Sequence, residues 1–172
     1  MGKITFILGG ARSGKSTYAL NLAQERGKKV AFIATGEPRD AEMKKRIALH
    51  KKERPSGWKT FEEQKNISSV LKKIGQEFDL VIIDCLTLLI SNLILTGLKS
   101  DLIQNKINDL LNEVTKIKSN CIIVSNEVGL GIVPENKLAR DFRDIAGRAN
   151  QLVAKKSNQV FFIVSGIPWR IK

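Results

Sequence analysis

The sequence predicts an α/β fold, a mainly parallel sheet with helices on both faces, and three observations support it. Short apolar runs rich in Val, Ile and Phe alternate with amphipathic helical patterns along the 172 residues. The runs are almost continuously apolar, as strands covered on both sides are. A glycine-rich segment also follows the first run and opens directly into the first helical pattern.

The first strand is expected over residues 3–8 and the first helix over 15–26. A second strand at 30–34 precedes a helix at 40–53, which must stop before Pro55 because the residue preceding a proline is pushed out of the helical region. Residues 54–66 read as an irregular or short-strand excursion, and 66–75 as a helix. Leu80 to Asp84 form the next strand, and 95–101 a loop. The helix at 102–118 carries Ile103, Ile107, Leu110, Val114 and Ile117 on one stripe. A strand at 121–125 leads to a helix at 135–156, whose stripe is Leu138, Phe142, Ile145, Ala149 and Leu152. The strand at 159–164 comes last. No repeat, low-complexity tract or linker interrupts the pattern, so residues 1–172 are expected to form one catalytic domain.

The composition, 42% hydrophobic and 27% charged, is that of a globular protein. Lys and Arg number 29 against 17 Asp and Glu, a net charge of +12. Such an excess favours polyanions (nucleic acid, anionic lipid, nucleotides), although a solvated lysine-rich surface accounts for most of it. With 7 Phe, 2 Trp and 1 Tyr and no interleaving of aromatic with basic residues, a base-stacking platform is not expected. No apolar run approaches the roughly 18 residues of a membrane span, and the first run is too short for a signal peptide. Cys85 and Cys121 lie far apart in apolar surroundings, as reduced buried thiols do, which predicts a cytoplasmic location.

Gly9-Gly10-Ala11-Arg12-Ser13-Gly14-Lys15-Ser16 matches G-x-x-x-x-G-K-[ST] between a strand and a helix. Glycines there let the backbone turn tightly and aim N–H groups at phosphate oxygens, while the helix N-terminus favours negative charge. Lys15 is placed to reach β- and γ-phosphates, and the Ser16 hydroxyl to ligate Mg²⁺. Asp84, at the end of an apolar strand, supplies the carboxylate such a site needs for the metal or its water shell.

In the helix at 40–53, Arg46 and His50 stand four residues apart, and Arg54 continues that spacing beyond it. Two guanidinium groups flanking an imidazole suit a polyphosphate, and neutral imidazole is a nucleophile near pH 7. Spacing alone favours a solvated basic face with an incidental histidine.

These residues resemble the bifunctional adenosylcobinamide kinase / adenosylcobinamide-phosphate guanylyltransferase family of cobalamin biosynthesis. The likeness runs through the glycine loop, Ile33-Ala34-Thr35, Glu42-Met43, Arg46-Ile47, His50, Arg54-Pro55, Trp58, Thr60 and Glu62. It continues through Asp84-Cys85-Leu86-Thr87, Ser91-Asn92-Leu93, Ser125 to Asn136, Arg140, Phe142-Arg143-Asp144, Gly147-Arg148, Asn150-Gln151 and Gly166-Ile167-Pro168. One departure is Leu88-Leu89-Ile90, where many relatives carry an aromatic.

The resemblance implies a P-loop fold like the core of recombinase-type ATPases, a homotrimer, and two reactions. The first phosphorylates adenosylcobinamide with a nucleoside triphosphate, GTP or ATP. The second transfers GMP from GTP to adenosylcobinamide phosphate, with His50 as the guanylylated residue. By the same resemblance nucleotide contacts fall on Gly9 to Ser16, Ile33, Ala34, Thr35, Lys51, Lys52, Glu53, Arg54, Glu62 and Asp84, with Mg²⁺ on Ser16 and Asp84.

Asn126 and Glu127 follow the strand at 121–125, at the edge where ligands sit in parallel sheets, and Glu127 reads equally as a substrate-positioning carboxylate or as loop structure. Arg140, Arg143 and Arg148 read as a substrate or subunit contact, or as a solvated face. A nucleic-acid-stimulated P-loop ATPase is the competing reading; no nucleic-acid motif accompanies it, and no nucleic-acid partner is expected.

Overall fold

The computed structural model describes residues 2–172. Its seven strands form one sheet in the order β3-β2-β4-β5-β1-β6-β7. In chain order the first elements are β1 (Ile4–Gly9), α1 (Lys15–Arg26), β2 (Val30–Ala34), α2 (Ala41–Glu53), β3 (Lys59–Glu62) and α3 (Ile67–Ile74). There follow β4 (Leu80–Asp84), α4 (Leu86–Leu95), α5 (Ser100–Lys116), β5 (Asn120–Asn126), α6 (Lys137–Lys156), β6 (Gln159–Val164) and β7 (Ile167–Arg170). Every strand pair is parallel except β6 with β7.

The central strands β1, β2 and β4 are buried along nearly their whole length, which is why they read as unbroken apolar runs. Their side chains alternate between two cores. Phe6, Leu8, Ile33, Val81 and Ile83 face the core under α3, α4, α5 and α6. Ile7, Phe32, Ile82 and Val124 face the other core, against Ala19, Leu22 and Ala23 of α1. Each large aliphatic side chain so enclosed contributes about 1.5–3 kcal/mol by leaving water.

The two faces are covered unequally. Four helices cover one face, while α2 buries no residue and stands over the open end of the sheet beside α1. Its start is fixed by Asp40, whose Oδ1 accepts from the Met43 amide at 2.7 Å. Arg54 ends it in extended conformation before Pro55.

Residues 54–66, expected as an irregular or short-strand excursion, contain β3, an exposed edge strand paired with β2. Two further elements, α4 and β7, are not in the sequence reading. α4 starts straight after β4 and buries Leu86, Thr87, Leu89, Ile90, Asn92 and Leu93. β7 is an exposed edge strand reached through Ser165 and Gly166, both at positive φ (51° and 82°), as a two-residue hairpin turn requires.

Candidate active site

The carboxyl ends of β1, β2, β4 and β5 meet at one edge of the sheet, where ligands of parallel α/β proteins sit. Gly14 opens α1 at φ 95°, a conformation that disfavours any side chain. Gly9 is required for closeness instead: a Cβ there would lie 2.6 Å from both the Ser13 Oγ and the Ile163 carbonyl. The loop therefore holds itself in the cradle shape.

Lys15 is buried, and its Nζ donates to the Gly10 carbonyl at 2.5 Å and the Ser13 hydroxyl at 3.4 Å. Burial lowers its pKa, while the nearby Cys85 and Asp84 act to raise it. The Ser16 hydroxyl donates to Asp84 Oδ2 at 3.3 Å. Burial raises the Asp84 pKa; His50 and the Ser16 hydrogen bond, then Arg54 and Lys15, pull it back. A carboxylate held against its own desolvation beside a hydroxyl is a fit for a hard cation. No cluster of three His, Cys, Asp or Glu exists among the described residues, and Mg²⁺ held largely by phosphate oxygens and water needs none.

A cavity of about 490 Å³ opens over the loop. It is lined by Ala11 to Thr17, by Ala34 and Gly36, by Met43, Arg46, Ile47, His50, Glu53 and Arg54, and by Glu62, Asp84, Cys85, Leu88, Val124 and Asn126. Glycine loop and histidine helix thus share one chamber, although 34 residues separate Ser16 from His50 in the chain. His50 Nδ1 lies 3.4 Å from Glu53 Oε2, both side chains being under half exposed. The Arg54 guanidinium stacks 4.0 Å over the buried Phe32 ring, and its Nε is enclosed without a partner. Arg54 is also among the residues that line the cavity.

Other residues singled out in the sequence support the chamber or lie outside its lining. Gly9 and Gly10, the first two residues of the loop, are not among the lining residues, and the Gly10 carbonyl accepts from Lys15. Ile33 is fully buried in the core. Thr35, also fully buried, accepts from the Cys85 amide at 2.7 Å and donates to its carbonyl at 2.8 Å, fixing the chain beyond Asp84. Lys51 pairs with Glu62, and exposed Lys52 is absent from the lining. Glu127 turns its Oε1 back to the Gly129 amide at 2.7 Å. Arg140 ties down the loop before α6 through the carbonyls of Pro134 at 2.9 Å and Glu135 at 2.5 Å.

Two residues gain a position that motif reading did not assign. Asn92, buried in α4, donates from Nδ2 to the Thr35 carbonyl at 2.8 Å and the Gln64 carbonyl at 3.1 Å, joining the exits of β2 and β3. Asn126 donates to the Thr87 hydroxyl at 2.9 Å and accepts at its carbonyl from Asn150 at 3.2 Å. Polar residues inside apolar runs (Thr87 and Asn92 within 86–95) were the available signal.

Fold and cavity together define a P-loop nucleotide-binding enzyme. Residues 5–171 match the family described as cobinamide kinase / cobinamide phosphate guanyltransferase. The chain belongs to that family. It is 40% identical over 166 residues to the bifunctional adenosylcobalamin biosynthesis protein CobP of Pseudomonas aeruginosa, covering 96% of this chain and 95% of that protein. It is 38% identical over 178 residues to the protein of the same description, CobU, of Salmonella typhimurium, covering 96% and 98%. The RadB recombinase structure aligns with TM-score 0.54 and 19% identity over 94% of this chain and 74% of that one, a likeness of fold alone.

Proposed function

We propose that the chain phosphorylates adenosylcobinamide and then transfers GMP from GTP to adenosylcobinamide phosphate through a guanylyl group on His50. The observation that carries this reading is that His50 and the glycine loop line one cavity. Family membership supports it over a nucleic-acid-stimulated ATPase.

In the kinase step the triphosphate tail of GTP or ATP lies on the N–H groups of residues 9–16, and Lys15 exchanges its contacts with Gly10 and Ser13 for phosphate oxygens. Ser16 and Asp84 would hold Mg²⁺, which supplies charge neutralisation on the phosphates. In the transferase step the Glu53 carboxylate, 3.4 Å from Nδ1 of His50, favours by its charge the tautomer with Nδ1 protonated, leaving the lone pair on Nε2. Nε2 attacks the α-phosphorus, the bond to the β-phosphate oxygen breaks, and pyrophosphate leaves. The ring carries the positive charge so created, next to Glu53. Arg46 and Arg54 stand one turn to either side for the remaining phosphate oxygens.

A homotrimer in the cytoplasm completes the reading. Exposed apolar residues such as Ile132 and Trp169 support association, and the free, buried Cys85 and Cys121 support a reducing location. No helix among the described residues is long and apolar enough to cross a membrane.

The test is incubation with α-labelled GTP and Mg²⁺ followed by peptide mapping. An acid-labile, base-stable adduct on the peptide containing His50 is expected. Label absent from that peptide while nucleotide is consumed overturns the covalent route.

A further inference from the structure

We infer that the glycine loop binds a second ligand in turn: after pyrophosphate leaves, it receives the phosphomonoester of the acceptor substrate for the transfer half-reaction. This rests on the guanylyl-His50 reading above. Displacement at phosphorus is in line, so the entering oxygen must approach opposite the bond that breaks. In the second half-reaction that bond is the one from α-phosphorus to His50 Nε2. The acceptor oxygen must therefore enter where the pyrophosphate oxygen left, on the side of the phosphorus away from α2.

The cations of the cavity divide along the same line. Arg46 shares the imidazole's side, since it stands one turn away on α2, with Cβ atoms about 6 Å apart. Arg54 is held on Phe32 at 4.0 Å, at the start of the chain leaving α2. The glycine loop lines the same cavity from a separate element, with Arg12, Lys15 and the N-terminus of α1.

Nothing in that cradle selects a β-phosphate over a phosphomonoester. Backbone N–H groups and one ammonium recognise tetrahedral oxyanions by shape and charge. Lys15 Nζ is bonded only to the loop's own Gly10 carbonyl and Ser13 hydroxyl among the described residues, and makes no ion pair. It is free to serve each phosphate in succession. The step balances without a base: an ionised phosphate oxygen of the acceptor forms the new bond to the α-phosphorus, and the phosphorus–nitrogen bond breaks. The electron pair returns to Nε2, and the Nδ1 proton stays with the ring beside Glu53.

The experiment isolates wild-type enzyme labelled by α-labelled GTP, removes pyrophosphate, and chases with adenosylcobinamide phosphate in a single turnover. Sulfate is the probe, an oxyanion that cannot take up the guanylyl group. Sulfate that raises the acceptor concentration for half-maximal rate without lowering the maximum supports shared occupancy. A lowered maximum at unchanged half-saturation, or no effect at concentrations that protect the loop in kinase assays, overturns it. Lys15→Met, labelled by prolonged incubation, is expected to need about tenfold or more acceptor in the chase. A wild-type chase by that variant refutes the inference even while the His50 reading stands. Failure of wild-type enzyme to label at all would instead remove the reading of His50 itself.

Discussion

Glu53→Gln isolates one element of the proposed chemistry, because it removes a charge and almost nothing else. Glu53 Oε2 lies 3.4 Å from His50 Nδ1, with side-chain exposures of 46% and 42%. Two unit charges about 4 Å apart would interact by ~4 kcal/mol at a surface-like dielectric before desolvation and entropy are counted. Exposed pairs retain only about 0.2–1 kcal/mol of this, and both groups here are more than a third exposed. Guanylylation makes the ring cationic, so the carboxylate stabilises the adduct and the transition state leading to it by about 1 kcal/mol. That converts to roughly a fivefold slower guanylylation. The amide keeps the size and place of the carboxylate and lacks only its charge. The assay is single-turnover labelling by α-labelled GTP beside the kinase rate on the same preparation. We expect the labelling rate to fall about fivefold, by less at high salt, with phosphorylation unchanged. An equal fall in both activities, or labelling as fast as wild type at low salt, would refute the assignment of Glu53 to the imidazole.

His50→Ala should abolish GMP transfer, by on the order of 10³-fold or more, while leaving cobinamide phosphorylation within about twofold and stability within ~1 kcal/mol, since α2 buries no residue; both activities and a denaturant melt on one preparation check this. Asp84→Asn should cut both activities by on the order of a hundredfold by weakening the metal site. It should nevertheless stabilise the nucleotide-free protein at neutral pH. Burial raises the Asp84 pKa in the folded state, so the folded chain holds that proton to higher pH than the unfolded one. Wild-type stability is therefore lost as pH rises through the folded pKa, and urea melts of the two proteins should converge toward pH 4. Asn92→Ala leaves the Thr35 and Gln64 carbonyls without their donor and should cost about 2–4 kcal/mol, read as a lowered urea midpoint.

The parts of this fold that were legible are those where local chemistry and tertiary role agree. β2 and α1 occur over the residues expected of them, because an unbroken apolar run and a glycine-capped amphipathic segment each have one cheap solution in a covered parallel sheet. α4 escaped notice for the opposite reason. Leu86-Thr87-Leu88-Leu89-Ile90 has no polar face, so no 3.6-residue period shows, and no side chain caps its start at Cys85. β7 carries Pro168 and is exposed throughout, which hides an edge strand; only the Ser165-Gly166 turn betrays it. In the site, the glycine loop, its lysine and Asp84 were readable because strand, turn and helix follow one another in sequence. Glu53 as partner of His50 was not separable from the basic run around it. Glu127, open between substrate contact and loop structure, is bonded to Gly129.

The division between legible and illegible follows from how the protein assembles its chemistry. Phosphate binding is a local property of eight consecutive residues, so the sequence carries it whole. The proposed nucleophile, His50, is not local to that loop. It lines the same chamber because α2 is carried over the end of the sheet by β2, which pairs with β4 and so brings Ala34 beside Asp84. Thr35 and Asn92 then fix that exit by bonds that cross 50 and 57 residues of chain. Remove those bonds and Gly9 to Ser16 can still hold a phosphate, but nothing holds the imidazole in the same chamber. The kinase should therefore tolerate damage at Thr35 better than the transferase does: Thr35→Val, which keeps the shape and deletes both hydroxyl bonds, should slow guanylylation more than phosphorylation. Equal slowing of the two would show that this exit positions Asp84 alone, not the histidine helix.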